Sequence, residues 1–274
     1  MCVELCVASQ AWLTERPAVV TVAPMSMTYT ETGRTRFLQM ELAGEEVALH
    51  PCGGLWWRAG SVLVVSDLHL EKASSYAARG QMLPPYDTRA TLRRLGALLE
   101  ELKPTTVVSL GDSFHDRQSR PRMAGEDVAA VRAMTAVHDW VWIEGNHDPK
   151  PPEDLGGRAV FELKLGALTL RHEPSAEAAS GEIAGHLHPC ARVVGRSGRS
   201  VRARCFATDG ERLVMPAYGA LTGGLNVLDR AFAPLFGEGM IAAVLGRDGV
   251  YLSGMDRLAP DRASLTVNRR GFAA

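Results

Sequence analysis

The sequence predicts an α/β fold with an α+β-like, four-layer build, in which two stacked mixed β-sheets are flanked by helices. Three observations predict it. Apolar strand-like runs alternate with helical stripes from about Glu45 to Asp148. After Pro149-Lys150-Pro151-Pro152 the pattern changes to strands joined by tight turns. Short polar clusters end strands in both halves, so the halves should stack as one domain rather than form two.

The elements follow in order. EEVALH and LWW read as short strands, and Val62-Leu63-Val64-Val65 is an apolar run of strand length that stops at Ser66-Asp67-Leu68-His69. The segment Asp87 to Lys103 places leucines at 92, 95, 98, 99 and 102, a stripe at helical spacing, with Asp87 as cap and Pro104 as stop. TTVVSLGDS is a second buried strand, GEDVAAVRAMTAVH a second helix, and DWVWIEGNHD a third strand. Strand–helix–strand alternation of this kind gives a parallel sheet with helices on its faces. Beyond Pro152, AVFELKLGALTLRHE, EIAGHLH, RARCFATDGERLVMPAYG and MIAAVLGRDGVYLS read as strands, with turns such as Asp209-Gly210 and Asp248-Gly249. They supply a mainly antiparallel second sheet.

The ends of the chain show no sustained period. Residues 1–40 are expected to be a loose extension, with Met25, Met27 and Met40 as alternative starts. Residues 41–256 form the domain, and 257–274 a tail. The opening segment lacks a basic stretch followed by a clean apolar run, so no secretory signal is expected. Apolar residues make up 46% and charged residues 22% of the 274-residue chain, ordinary for a globular protein. A net charge of -1 gives no global attraction to nucleic acid or membrane, so any such partner must meet a local patch. No apolar run reaches the roughly 18 residues of a membrane span. The five cysteines (2, 6, 52, 190, 205) are scattered without CxxC pairs, which suits a reducing cytoplasm and neither a disulfide framework nor a zinc ribbon.

The chemistry lies in five segments: SDLH (Asp67, His69), GDSFHD (Asp112, His115, Asp116), GNHD (Asn146, His147, Asp148), RHE (His172) and GHLH (His186, His188). They hold six of the eight histidines, all at predicted strand C-termini or just after them. That edge of an open α/β sheet is where ligands bind. Side chains alternate along a strand, so Asp67 and His69 should leave on one face, either as a hydrogen-bonded pair or as two ligands of one ion. Two Asp, one Asn and four His are mixed O/N donors without thiolate. Such a set suits Mn, Fe, Zn, Co or Ni rather than an iron–sulfur cluster or Ca. Seven donors exceed one tetrahedral ion but suit two ions about 3.5–4 Å apart. The glycines before Asp112, Asn146 and His186 should let the backbone turn tightly toward a common centre. His50 and His138 fall outside the clusters and read as structural.

In this order the segments resemble the motifs of the calcineurin-like metallophosphoesterases: D-x-H, G-D, G-N-H-[DE], a lone H, and G-H-x-H. The resemblance spans Asp67 to His188 and implies that fold. It implies one divalent metal ion held by Asp67, His69 and His188, and a second by Asn146, His172 and His186, with Asp112 bridging. His147 would be the catalytic histidine, with Asp148 orienting it. Many members carry G-D-x-x-D, whereas here His115 and then Asp116 follow. These two are assigned to the layer behind the ligands, where polar groups orient them.

Longer strings narrow the likeness. SDLHLEKASSYAARGQMLPPYDTRATLRRL, LGDSFHD, GNHDP, GHLHP and CFATDGERLVMPAYGALTGGLNVLD resemble the bacterial ligase-associated DNA-damage-response endonucleases, the PdeM family. That resemblance implies a Mn-dependent phosphodiesterase acting on DNA in repair, associated with an ATP-dependent DNA ligase and with repair helicase or nuclease partners. Two arginine runs could hold DNA phosphates on either side of the scissile one: Arg192, Arg196, Arg199, Arg202 and Arg204 after GHLH, and Arg117, Arg120 and Arg122 after GDSFHD. The alternatives are a phosphatase or cyclic-nucleotide phosphodiesterase for small esters, and a metal-free binding scaffold, which would lack ligands that this chain has. GALTGGLNV (219–227) is glycine-rich without phosphate-loop form and is expected to pack under the site.

Overall fold

The computed structural model describes residues 27–32, 35–177, 179–236 and 239–261. Among them, the first sheet has eight strands in chain order: β1 (Met27–Thr32), β2 (Thr35–Leu42), β3 (Glu45–Leu49), β4 (Leu55–Trp57), β5 (Val62–Val65), β6 (Thr106–Leu110), β7 (Asp139–Ile143) and β8 (Arg158–Val160). Neighbours from β1 to β5 are antiparallel, and those from β5 to β8 parallel. Parallel neighbours need crossovers. Helices α1 (Lys72–Ala78) and α2 (Asp87–Leu102) make the first, and α3 (Ser119–Arg122) and α4 (Gly125–Val137) the second.

The second sheet contains β9 (Glu162–Leu165), β10 (Leu168–Arg171), β11 (Glu182–Ala184), β12 (Cys190–Val194), β13 (Ser200–Thr208), β14 (Arg212–Val214), β15 (Ile241–Leu245), β16 (Val250–Gly254) and β17 (Leu258–Ala259). Its main path runs β16-β15-β13-β14-β11-β10-β9, with β12 and β17 beside β13. As expected it is mostly antiparallel, but β10, β11 and β14 run parallel to one another. Their C-terminal ends therefore lie along one edge.

Alternation along the strands sorts the core into layers. Leu63 and Val65 of β5, Val107 of β6, and Trp140 and Trp142 of β7 pack with Leu92, Leu95, Leu98 and Leu99 of α2. Their neighbours Val62, Val64, Val108, Leu110, Val141 and Ile143 point the other way, onto Leu170, Ile183, Phe206, Leu213 and Ala243 of the second sheet. The outer face of the second sheet (Cys205, Ala207, Val214, Ala242, Val244) is covered by Val227, Phe232 and Phe236. That segment forms turns among the described residues, so the fourth layer is irregular chain while the helices cover the first sheet.

Several expectations need correction. Residues 27–32 and 35–40 are not loose, because Met27–Thr32 and most of Thr35–Leu42 pair as β1 and β2, with Leu38 and Met40 buried between the sheets. Their Thr, Glu and Arg content hid the alternation. Residues 1–26 and 262–274 lie outside the described residues, but Leu258–Ala259 of the expected tail pairs with β12. Asp87 does not cap its own helix. It begins α2, and its Oδ2 accepts the Ala73 N–H at 3.1 Å, tying down the start of α1. Among the described residues Cys52, Cys190 and Cys205 are free, and no helix is long and apolar enough to cross a membrane.

Phe206 is fully buried between the sheets, so Phe206→Ala should cost about 3–5 kcal/mol of folding free energy, the usual range for a buried aromatic. Phe161 is 75% exposed, and Phe161→Ala should change stability by less than about 0.5 kcal/mol. Urea unfolding midpoints of the two variants check the contrast.

Candidate metal centre

The five polar segments leave the C-terminal ends of β5, β6, β7, β10 and β11 and converge at one edge of the two stacked sheets. The convergence does not come from strand alternation, as the sequence suggested for Asp67 and His69. Strand β5 ends at Val65, and Asp67 and His69 have left-handed backbones with φ of 53° and 43°. Asp112, His186 and His188 are also left-handed, at 45°, 66° and 48°. Non-glycine residues rarely adopt this region, and such strain persists where the surroundings over-determine it.

The surroundings here are backbone. His69 N–H donates to Asp112 O at 2.9 Å, Leu70 N–H to Ser113 O at 2.9 Å, and His115 N–H to Leu70 O at 2.9 Å, lacing the loops after β5 and β6 together. Asp112 Oδ1 accepts the His147 N–H at 2.8 Å, and Asp67 Oδ2 accepts the His186 N–H at 3.1 Å. The candidate side chains thus hold one another's loops in place.

The glycines serve two different purposes. Gly111 has φ +73°, as a tight turn requires. Gly145 and Gly185 are needed for space instead. A Cβ on Gly145 would lie 2.2 Å from Asp112 N, and one on Gly185 2.1 Å from Ser66 Oγ. The glycine-rich segment is a strap across two candidate loops. Tyr218 N–H donates to Ser66 O at 2.7 Å and Gly219 N–H to Asp67 O at 3.0 Å. Gly224 presses on the His188 carbonyl, where a Cβ would meet the oxygen at 2.0 Å. Arg204 fastens the strap by donating to the carbonyls of Ala217, Gly219 and Thr222 at 3.0, 2.7 and 3.0 Å. Arg94 of α2 adds a hydrogen bond to Tyr218 O and lies over its ring.

Two clusters of donor atoms that include a carboxylate result. In one, Asp67, His69 and His188 offer atoms all within 4.8 Å of one another; in the other, Asp112, His172 and His186 do the same. A third group, His69, His115 and His147, is all imidazole and shares His69 with the first. Asn146 Oδ1 joins the second, 2.9 Å from His172 Nε2 and 3.1 Å from His186 Nδ1. Asp112 lies between them, with Oδ1 3.4 Å from His172 Nε2 and Oδ2 3.8 Å from His69 Nε2.

Electrostatics and hydrogen bonding fit cations here. Asp67 Oδ1 is buried with His188 Nε2 2.9 Å away and His69 Nε2 and His172 Nδ1 at 4.0 Å, and a buried carboxylate oxygen is costly unless something positive meets it. Burial works against charge on Asp67, yet His188, His172 and His69 outweigh it and hold the carboxyl at about 2. Burial drives the His69 imidazole down to about 3 against the pull of Asp67 and Asp112. His172 goes the other way. Burial disfavours its charge, but Asp112 and Asp67 overcome this and raise it to about 9, so a metal ion entering that cluster must displace a proton. His172 Nδ1 donates to Leu110 O at 3.1 Å, which leaves Nε2 facing the cluster.

The remaining expected residues sort as follows. His147 is half-buried; its Nδ1 donates to His115 O at 2.7 Å, and its Nε2 lies 3.9 Å from Asp112 Oδ2. No hydrogen bond joins it to Asp148, contrary to the orienting role expected. Asp148 is buried, its Oδ2 accepts the Phe114 N–H at 3.1 Å, and burial raises its carboxyl to about 8. The orienting contact comes from the His115 carbonyl. The His115 ring backs His69, Nδ1 to Nδ1 at 3.4 Å, and stacks on His147. Asp116 is held by Arg122 at 2.8 Å.

The arginine runs divide. Arg204 belongs to the strap, and Arg202 pairs with Asp261 and donates to Gly224 O, while Arg192 also approaches Asp261 at 3.4 Å. Arg196 and Arg199 lie exposed at the tip of the β12–β13 hairpin rather than in a loop beside the centre. Arg120 makes a two-pronged pair with Asp154. Arg117 instead opens onto a cleft that also contains Asn146, His147 and Arg79, the last not singled out by the sequence.

Residues 60–199 match the family described as calcineurin-like phosphoesterase. The chain belongs to the calcineurin-like phosphoesterase family. It is 31% identical to the Pseudomonas putida nuclease MPE, over 79% of this chain and 100% of that one, with a TM-score of 0.61. The phosphoesterase Yfce from E. coli is a remoter likeness, 15% identical over 70% of this chain and 98% of that one, with a TM-score of 0.36. No curated protein matches. Calcineurin-like phosphoesterases are metal-dependent hydrolases of phosphoester bonds, and the two clusters give this member groups that could hold divalent ions.

If the strap sets the position of Asp67 and His188, Arg204→Ala should weaken metal uptake by the Asp67–His69–His188 cluster more than by the Asp112–His172–His186 cluster. Calorimetric metal titration should show one step weakened by roughly tenfold, as losing hydrogen bonds worth ~1.4 kcal/mol would produce. Equal weakening of both steps, or of neither, counts against the strap.

Proposed function

We propose that the protein is a dinuclear-metal phosphodiesterase that hydrolyses DNA phosphodiester bonds. The observation that carries this reading is the pair of donor clusters with Asp112 lying between them and half-exposed His147 beside them. The nuclease relative, alike over most of both chains, supports nucleic acid as the substrate. In this proposal Asp67, His69 and His188 hold one divalent ion, and Asn146, His172 and His186 the other, with Asp112 reaching both. Manganese suits the mixed O/N donors. When bound, such ions supply Lewis acidity toward phosphoryl oxygens and lower the pKa of water.

The chain's own residues do the rest. Asp112 presents one oxygen to each cluster and at the same time accepts the His147 N–H, so the imidazole and the clusters are fixed relative to each other. His147 donates Nδ1–H to a carbonyl, which leaves Nε2 to face a substrate oxygen. When protonated, that nitrogen can give its proton to the departing alkoxide of a DNA strand. A role in repair beside an ATP-dependent DNA ligase is supported by the motif strings alone, and belongs to this same proposal.

The leaving group tests the assignment of His147. An alkoxide needs a proton, whereas a nitrophenolate departs without one. His147→Ala should therefore lower DNA cleavage by roughly 10²–10⁴-fold, the usual contribution of a lost general acid, yet spare bis-nitrophenyl phosphate by comparison. Asp112→Ala should abolish both activities, together with metal binding. Equal losses on the two substrates in His147→Ala would remove the general-acid role. Wild-type enzyme that turns over small esters with Mn but leaves DNA intact would favour a small-molecule phosphatase or cyclic-nucleotide phosphodiesterase.

A further inference from the structure

The structure offers two routes by which a long phosphodiester could leave the metal centre. One follows the β12–β13 hairpin beyond His188. The other follows a cleft of about 480 Å³ between α1 and the loop leading into α3, lined by Ser75, Arg79, Asp116, Arg117, Asn146 and His147 among others. The sequence placed arginine runs on both routes, the longer one on the hairpin. Their partners favour the cleft.

On the hairpin, Arg204 is committed to three carbonyls, and Arg202 and Arg192 converge on Asp261. The pairing register sets Arg192 opposite Arg202 and Val194 opposite Ser200. Arg196 and Arg199 therefore sit at the far end of five strand residues, roughly 17 Å from Cys190 at about 3.4 Å per residue. A phosphate next to the scissile one would not reach them.

The cleft is different. Its Asp116 carboxylate is already neutralised by Arg122 at 2.8 Å. This leaves the guanidinium groups of Arg79 and Arg117 as the uncompensated charges among its ionised side chains, and both residues are solvent-exposed. At the inner end lie Asn146, the solvent-exposed member of the second cluster, and half-exposed His147. A chain that meets the centre at these two residues enters the cleft at once.

We infer that the α1–α3 cleft is the subsite for the nucleic-acid backbone flanking the scissile phosphate, with Arg79 and Arg117 as its phosphate contacts. The inference rests on the nuclease reading and adds the path of the strand. Phosphate contacts position and attract the substrate without entering bond cleavage. The signature of their loss is consequently a raised KM and a weaker salt dependence, with little change in kcat.

The test compares Arg79→Ala/Arg117→Ala with Arg196→Ala/Arg199→Ala and wild type on one labelled oligonucleotide. It measures cleavage kinetics across a salt series and binding by fluorescence anisotropy, with thermal unfolding and metal content as folding controls. The cleft variant should show a KM raised by about tenfold and a log–log salt slope shallower by roughly 0.7–0.9 per contact removed. The hairpin variant should change less on both measures. A cleft variant with wild-type KM and slope on an oligonucleotide that wild type does cut would overturn the cleft alone. An equal or larger effect of the hairpin variant would overturn it as well. Should the cleft variant lose metal or stability, Arg79→Gln and Arg117→Gln singles replace it, and the same slope decides. If wild type neither cuts nor binds the oligonucleotide while hydrolysing a small diester, the nuclease reading falls and takes the cleft with it.

Discussion

Two carboxylates, Asp67 and Asp112, are buried side by side among imidazoles, and the fold is organised around making that tolerable. Charge held away from water needs hydrogen-bonded or ionic compensation, otherwise the group is neutralised. Here the compensation comes from Ser66 Oγ at 2.5 Å, the His147 and His186 backbone N–H groups, and the surrounding histidines. Asp67 draws His188 to 2.9 Å of its Oδ1, and His172 is driven to take a proton. Both features describe buried carboxylates that attract positive charge, which a pair of divalent ions would supply.

Such a centre demands loops that converge from different strands, and that demand explains the architecture at this edge. Parallel β5, β6 and β7 in one sheet, and parallel β10, β11 and β14 in the other, end together, so residues as distant as Asp67 and His188 meet with Oδ1 and Nε2 2.9 Å apart. Five candidate residues adopt left-handed backbone, each at a cost on the order of 1–3 kcal/mol. The laced backbone of the first two loops and the strap held by Arg94 and Arg204 offset that cost. Stability made in the sandwich core is spent on geometry at its rim.

The sandwich and the donor set were legible in the sequence, because both are written in local pattern. Alternation around Val62–Val65 and the leucine stripe of α2 declare buried strands and a packed helix, and short Asp/His segments after such strands declare an edge site. What escaped depended on partners remote in the chain. Arg204 looks like any arginine of a basic run until the carbonyls of Ala217, Gly219 and Thr222 are seen around it. Asp148 follows His147 directly, yet turns to the Phe114 N–H. Helix α1, with buried Ala73 and Ser75, has no apolar stripe to reveal it, and Arg79 at its end was hidden with it. Strands β1 and β2 mix threonine, glutamate and arginine among their apolar residues, which blurs the period.

The central claim is that two ions share Asp112, and crystals soaked in manganese test it most directly through anomalous scattering. Two peaks are expected, one among Asp67, His69 and His188 and one among Asn146, His172 and His186, each in contact with a different oxygen of Asp112. A single peak, or a pair in which Asp112 touches only one ion, would contradict it.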